Sequence, residues 1–198
     1  MSQPLQTNIN VINAYIALGS NVTSSLGGPL SALKFAISQL ATDSVKLVRT
    51  SCFYSTPAFP KGEDPDFVNA VLQVETSLAH FALLTRLHEI ETAAGRTRLK
   101  RWDARVLDLD LISFGDTVHP NSKVQKEWVD LPLEIQMEKA PDQLILPHPR
   151  IQDRAFVLVP LRDVAPNWTH PVTGHHIDEL ITKLSDDDVA SVKVMSDG

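Results

Sequence analysis

No Gly-x-x-x-x-Gly-Lys-Ser/Thr loop and no Gly-x-Gly-x-x-Gly turn occurs in the 198 residues, which disfavours a P-loop kinase or a Rossmann dehydrogenase. His-Glu-x-x-His and Cys-x-x-Cys are missing as well, so the usual zinc frameworks have no ligands. The single cysteine, Cys52, cannot form an internal disulfide; it stands in an apolar strand-like run and is expected to be a small core residue. Positive charge is in the minority, 18 Lys and Arg against 24 Asp and Glu. A net charge of −6 argues against broad nonspecific binding to nucleic acid or to an anionic membrane, both of which need a basic field. Long apolar runs are absent too: Ala14 to Leu18 is far too short to span a bilayer, and the N-terminal stretch has neither a basic region nor a cleavage site. The expectation is a cytoplasmic protein of one domain, 1–198, with its core over about 11–184.

Positive charge is instead gathered in one place. Arg96, Arg98, Lys100, Arg101 and Arg105 lead directly into Asp108-Leu109-Asp110. Side chains alternate faces along a strand, so Asp108 and Asp110 point the same way, about 7 Å apart at Cα, and Leu107, Leu109 and Leu111 point to the other face. Two convergent carboxylates suit Mg²⁺, which keeps most of its waters and takes one or two protein carboxylates plus substrate phosphates. Arginine forks match phosphate oxygens, and like charges this dense repel unless an anion joins them. Together the two halves read as a site for metal-bound polyphosphate. Taken separately, Asp-Leu-Asp-Leu is an amphipathic edge strand and the basic run a solvated loop.

Val11 to Leu18 reads as a mostly buried strand ended by Gly19-Ser20-Asn21. Leu30, Leu33, Ile37, Leu40 and Ala41 form a helical stripe with Lys34 at its edge. Val45 to Tyr54 is a second strand. After a Pro-rich loop, Phe67 to Glu75 is a third, with Val68, Ala70, Leu72 and Val74 toward the core and Phe67 and Asn69 on the opposite face. A second helix holds Phe81 to Glu91 and fades at Gly95; Leu107 to Phe114 is the fourth strand. The order β-α-β-β-α-β predicts an α+β, ferredoxin-like fold with a largely antiparallel sheet, helices on one face, the other face free for ligands, and C-terminal additions. Those additions are a helical element over 155–164 with Pro160 at an irregular point, a helix over Ile177 to Leu184, and an acidic tail, 185–198, expected to fray. Residues 119–144 read as an inserted polar surface segment.

On the free face, Phe67 and Asn69 pair a ring with an amide that both donates and accepts, which suits a flat heterocycle with amide-like edges. An aromatic shielding the sheet beside a turn-ending Asn is the plainer reading. Thr56-Pro57 opens a loop that can cap such a ring. Farther on, two prolines restrain His148, which with Arg150 and Arg154 nearby can donate to a phosphate, although Pro-His-Pro alone also describes a surface turn.

Five stretches in order resemble the 6-hydroxymethyl-7,8-dihydropterin pyrophosphokinases of folate biosynthesis. They are Ala14-Tyr15-Ile16-Ala17-Leu18-Gly19-Ser20-Asn21, Ser55-Thr56-Pro57, Asp66-Phe67-Val68-Asn69-Ala70, Glu91 through Asp110, and Leu146-Pro147-His148-Pro149-Arg150 with Arg154-Ala155-Phe156. The resemblance implies attack of the substrate hydroxymethyl oxygen on the β-phosphorus of ATP, with AMP leaving. It implies Asp108 and Asp110 as ligands of two Mg²⁺ ions, Arg96 and Arg105 on the transferring group, and Arg98 and Arg101 on the phosphates. His88, Glu91, His148 and Arg154 then contact the nucleotide and Trp102 closes over the site. Phe67 and Phe156 sandwich the pterin, Asn69 reads its polar edge, and Thr56 and Pro57 contact it through the backbone. ATP and the pterin are the partners so implied, with no nucleic acid, no membrane and a monomer expected. The chain departs from the family pattern in three places. His88 stands where the family has Gln, Asp103-Ala104 where a Gly-Pro pair commonly precedes the last Arg, and residues 119–144 are longer than usual.

Two rival readings remain, the first from another class. An RNA-binding sheet of the same strand order needs stacking aromatics on its central strands, where Leu107 to Ile112 offers aspartates. A family member that binds without turnover is suggested only by Asp103 and the insertion.

Overall fold

The computed structural model describes residues 10–58, 65–95, 106–132, 135 and 139–196. Period-two alternation makes the first strand, β1 (Ile12–Ser20), whose Ala14, Ile16 and Leu18 are buried on one side. It outruns its expected end: Gly19 and Ser20 belong to the ladder and not to a turn. Helix α1 (Pro29–Leu40) opens on a proline, where the missing N–H costs nothing, and buries Ala32, Leu33, Ala36 and Leu40.

The single strand expected over Val45 to Tyr54 is two, β2 (Val45–Thr50) and β3 (Tyr54–Thr56), lying end to end along β4 (Phe67–Thr76). At the break the Ser51 hydroxyl stands in for a backbone acceptor and takes the Val71 N–H at 2.9 Å. The kink turns Cys52 outward, so the expected core cysteine is exposed. Helix α2 (His80–Ala93) and strand β5 (Asp108–Phe114) complete the pattern. Among the described residues every strand pairing is antiparallel, in the order β5-β1-β4 with β2 and β3 both on the far side of β4. That is the α+β, ferredoxin-like order expected.

Helices α1 and α2 cover one face, where Ile16, Leu18, Leu72, Leu83, Leu87 and Leu109 share a core. Each such side chain contributes about 1.5–3 kcal/mol on burial. The other face is not free throughout. Within the 119–144 segment, α3 (Ser122–Val129) is capped by Asn121 Oδ1, which accepts from the Val124 N–H, and the ends of the segment are joined by two backbone bonds between His119 and Leu146. Beyond it, α4 (Ala155–Val164) and α5 (Ile177–Thr182) pack Val157, Leu158, Leu161, Ile177 and Leu180 against Val71 and Ile112 of the sheet in a second core. Phe67, Asn69, Gly19 and Asp108 lie beyond that core, at one end of the face.

Pro160 sits inside α4 without breaking it, at the expense of the bond its N–H would have given the Phe156 carbonyl. Of the tail expected to fray, 185–198, the described residues 185–196 hold regular structure. Ser185 caps α6 (Asp186–Ser191), whose first three residues are aspartates at the positive end of the helix dipole, and β6 (Lys193–Val194) extends the sheet beyond β3. No helix among the described residues is long and apolar enough to cross a membrane.

Candidate active site

Strand register decides which side chains meet. Asp108 pairs with Gly19, Gly19 with Asn69 and Asn69 with Tyr54, which makes one row across β5, β1, β4 and β3. Asp110 pairs with Ala17 on the same face, and Phe67 with Thr56. The absent side chain at Gly19 matters in this row: a Cβ there would lie 3.1 Å from Asn69 Oδ1 and 3.8 Å from the Phe67 ring. Glycine keeps the floor low between an aromatic-amide pair and a carboxylate. Asn69 is 6% exposed, and its Nδ2 donates to Thr56 Oγ1 at 2.7 Å, which fixes the amide plane.

Asp108 and Asp110 are half-buried. Arg154 Nη1 stands 3.6 Å from Asp110 Oδ2, and its guanidinium lies 5.6 Å from the Phe156 ring centroid, within cation-π range. Arg154 is also the N-cap of α4, so the positive end of that helix faces the carboxylates. His148 and Glu91 approach along the outer edge of β5. The His148 N–H donates to the Ile112 carbonyl at 2.9 Å, and Glu91 Oε1 accepts from the Leu109 N–H at 2.8 Å, so an otherwise open strand edge is satisfied by two nucleotide-site candidates. His148 Nδ1 accepts from the Arg150 N–H at 3.1 Å, which leaves the proton of the neutral ring on Nε2 as a donor. Burial, then the charges of Arg154 and Arg150, hold the His148 pKa down to about 3 against the pull of Asp108.

The pterin-facing candidates therefore gather over β3 and β4, the nucleotide-facing candidates along β5, and the aspartates between them. Pro57 is exposed beside buried Thr56. His88 is exposed on α2 near Thr85, Glu89 and Thr92, apart from that face. Arg96, Arg98, Arg101, Trp102 and Arg105, with Asp103 and Ala104, lie outside the described residues. Among the described residues no cluster of three or more His, Cys, Asp or Glu could enclose a metal. A pair of carboxylate ligands without a cage fits a hard ion that keeps waters and takes its remaining oxygens from a phosphate.

The family model described as 7,8-dihydro-6-hydroxymethylpterin-pyrophosphokinase (HPPK) matches residues 15–166. The chain belongs to this family. Among HPPK relatives, the 2-amino-4-hydroxy-6-hydroxymethyldihydropteridine pyrophosphokinase of Haemophilus influenzae is 37% identical over 176 residues, covering 89% of this chain and 95% of the relative. The Synechocystis enzyme of the same description is 37% identical over 172 residues, covering 86% and 75%. A crystal structure of Plasmodium falciparum HPPK-DHPS superposes with a TM-score of 0.63 at 16% identity over 92% of this chain and 47% of that one. That likeness bears on the fold, and this chain spans about half the length of that solved chain.

Two features of the site carried no assignment in the sequence. Gly19 lies within the Ala14-to-Asn21 stretch, and only the register reveals that it pairs with Asn69. Tyr54 donates to Asp163 at 2.7 Å across 109 residues of sequence, a separation that no local pattern encodes.

Proposed function

We propose that the row Asn69, Gly19, Asp108 is the seam along which two substrates meet, the pterin over β3 and β4 and the ATP phosphates over β5. The chain is a diphosphokinase of folate synthesis, moving pyrophosphoryl from ATP to hydroxymethyldihydropterin. The observation that carries the site assignment is the missing side chain at Gly19, where a Cβ would crowd Asn69 Oδ1 and the Phe67 ring in the row that leads to Asp108.

Phe67 and Phe156 hold the pterin ring between them, Asn69 bonds its polar edge, Thr56 fixes Asn69, and the backbone at Pro57 contacts the ring. Asp108 and Asp110 would hold two Mg²⁺ ions, which supply charge neutralisation of the polyphosphate when bound. His148 Nε2–H donates to a phosphate oxygen, and Arg154 exchanges part of its pairing with Asp110 for the same anion. Glu91 fixes the edge of β5 on which the nucleotide rests, with His88 farther along α2. Arg96 and Arg105 neutralise the transferring group, Arg98 and Arg101 bind the phosphates, and Trp102 closes the site; these assignments rest on the family resemblance alone. The chain itself performs little covalent chemistry. Alignment of the hydroxymethyl oxygen with the β-phosphorus and fixed positive charge lower the barrier, and exclusion of water removes a competing nucleophile. The working unit is a monomer of one domain.

The test uses ATP labelled at the β-phosphorus together with Mg²⁺ and 6-hydroxymethyl-7,8-dihydropterin. Label is expected in the pterin diphosphate with one AMP per product, and label recovered in ADP would overturn the reading.

A further inference from the structure

Helix α4 is fastened at both ends. Arg154 at its N-terminus pairs with Asp110. Near its C-terminus, Asp163 Oδ2 accepts from the Tyr54 hydroxyl at 2.7 Å and from the Cys52 N–H at 3.2 Å. Phe156 and Asp163 are seven residues apart, close to two turns, so they share one side of the helix about 10 Å apart along its axis. Tyr54, 5% exposed, belongs to β3 and pairs in register with Asn69; two residues along the same strand, Thr56 holds the Asn69 amide. Asp163 thus ties the helix that carries Phe156 to the strand that supports Asn69. Burial and the adjacent Asp163 carboxylate push the Tyr54 pKa upward, so the phenol stays protonated and keeps donating.

We infer that Tyr54 and Asp163 are positioning residues for the acceptor: their bond sets the height and rotation of α4, and with them the spacing of Phe156 above the floor made by Phe67 and Asn69. This rests on reading Phe67, Asn69 and Phe156 as the pterin cradle. Neither Tyr54 nor Asp163 touches a substrate; both act through the elements they join. The pair therefore governs recognition of a flat ring of one thickness, and the phosphate side feels less of it because Arg154, at the start of the same helix, keeps its own anchor on Asp110. Asp163→Glu is the informative substitution, since it keeps the charge and the acceptor but lengthens the tie by one methylene.

The experiment measures KM for the pterin, KM for ATP and the melting temperature in Tyr54→Phe, Asp163→Glu, Asp163→Asn and Phe156→Ala, with kinetics taken well below each melting point. Tyr54→Phe and Asp163→Glu are expected to raise the pterin KM roughly tenfold, the order set by losing or misplacing one charge-assisted hydrogen bond, with the ATP KM within about twofold. Asp163→Asn retains an acceptor of the same length and should recover most of that loss. If Phe156→Ala weakens the pterin while Tyr54→Phe and Asp163→Glu only lower the melting temperature, the pair is structural and the inference falls. If Phe156→Ala leaves the pterin KM unchanged, the cradle itself is wrong and the inference falls with it.

Discussion

On one face of the sheet Ala14, Ile16, Leu18, Leu72, Val74, Leu109 and Leu111 meet α1 and α2 in a continuous apolar layer, none more than 4% exposed. On the other face the same strands present Tyr15, Ala17, Gly19, Asn69, Val71, Asp108 and Asp110, part of it sealed by α4 and part left polar. Neighbouring residues on one strand therefore serve different ends. Burial under α1 and α2 belongs to one parity of the strands and the candidate polar side chains to the other, because the pleat sends successive side chains to opposite sides. A step of one residue should exchange one phenotype for the other.

The largest effect expected is on the polar parity. Asp108→Ala or Asp110→Ala should lower turnover by about a hundredfold to a thousandfold or more, the scale of losing a charge-organising group at the reacting centre. Both carboxylates are half-buried and outside the apolar cores, so calorimetry should find the melting temperature within a few degrees of the parent. On the apolar parity, Leu72→Ala should cost about 2–5 kcal/mol by denaturant titration, since the side chain is 1% exposed and leaves a cavity. For a chain of this size that corresponds to a melting temperature lower by roughly 5–15 °C, with turnover per folded molecule unchanged.

Smaller effects sharpen the boundary within the polar face. Phe67→Ala or Asn69→Ala should raise the pterin KM by roughly tenfold while leaving ATP binding, measured by titration calorimetry, near that of the parent. The smallest effect lies away from the sheet, at His170. It is 3% exposed, with Nδ1 accepting from the Val172 and Thr173 N–H groups. Burial and then His175 hold its pKa down to about 4 from an ordinary 6.5, against the pull of its backbone hydrogen bond. Between those values the unfolded chain binds the extra proton and the folded chain does not, so stability is lost as pH falls from 6.5 toward 4. Melting curves across that window should slope, and His170→Gln should flatten the slope without changing turnover at neutral pH.

Period and order made much of this legible from residues alone. The alternation in Phe67 to Glu75 told the face under α1 and α2 from the opposite one, and Asp108-Leu109-Asp110 declared its own geometry because a strand leaves no other choice. What could not be read depended on partners distant in sequence. The break between β2 and β3 turns on Ser51, whose hydroxyl replaces a backbone acceptor for Val71, and Cys52 is exposed because of it. Polar composition suggested a frayed tail, but over 185–194 Ser185 caps a helix and the edge of β3 takes up a short strand. The second face looked free because nothing in the sequence of α4 says which surface its apolar side will choose. The tie from Asp163 to Tyr54 is invisible for the same reason.

The central claim is that catalysis and stability divide by strand parity at β5, and Asp110→Asn compared with Leu111→Ala tests it at adjacent positions. AMP and pterin diphosphate would be quantified per folded molecule, with the melting temperature measured on the same samples. The account predicts that Asp110→Asn melts near the parent and makes almost no product, and that Leu111→Ala melts several degrees lower yet turns over normally. Full turnover in Asp110→Asn, or loss of product in Leu111→Ala while it remains folded, would contradict it.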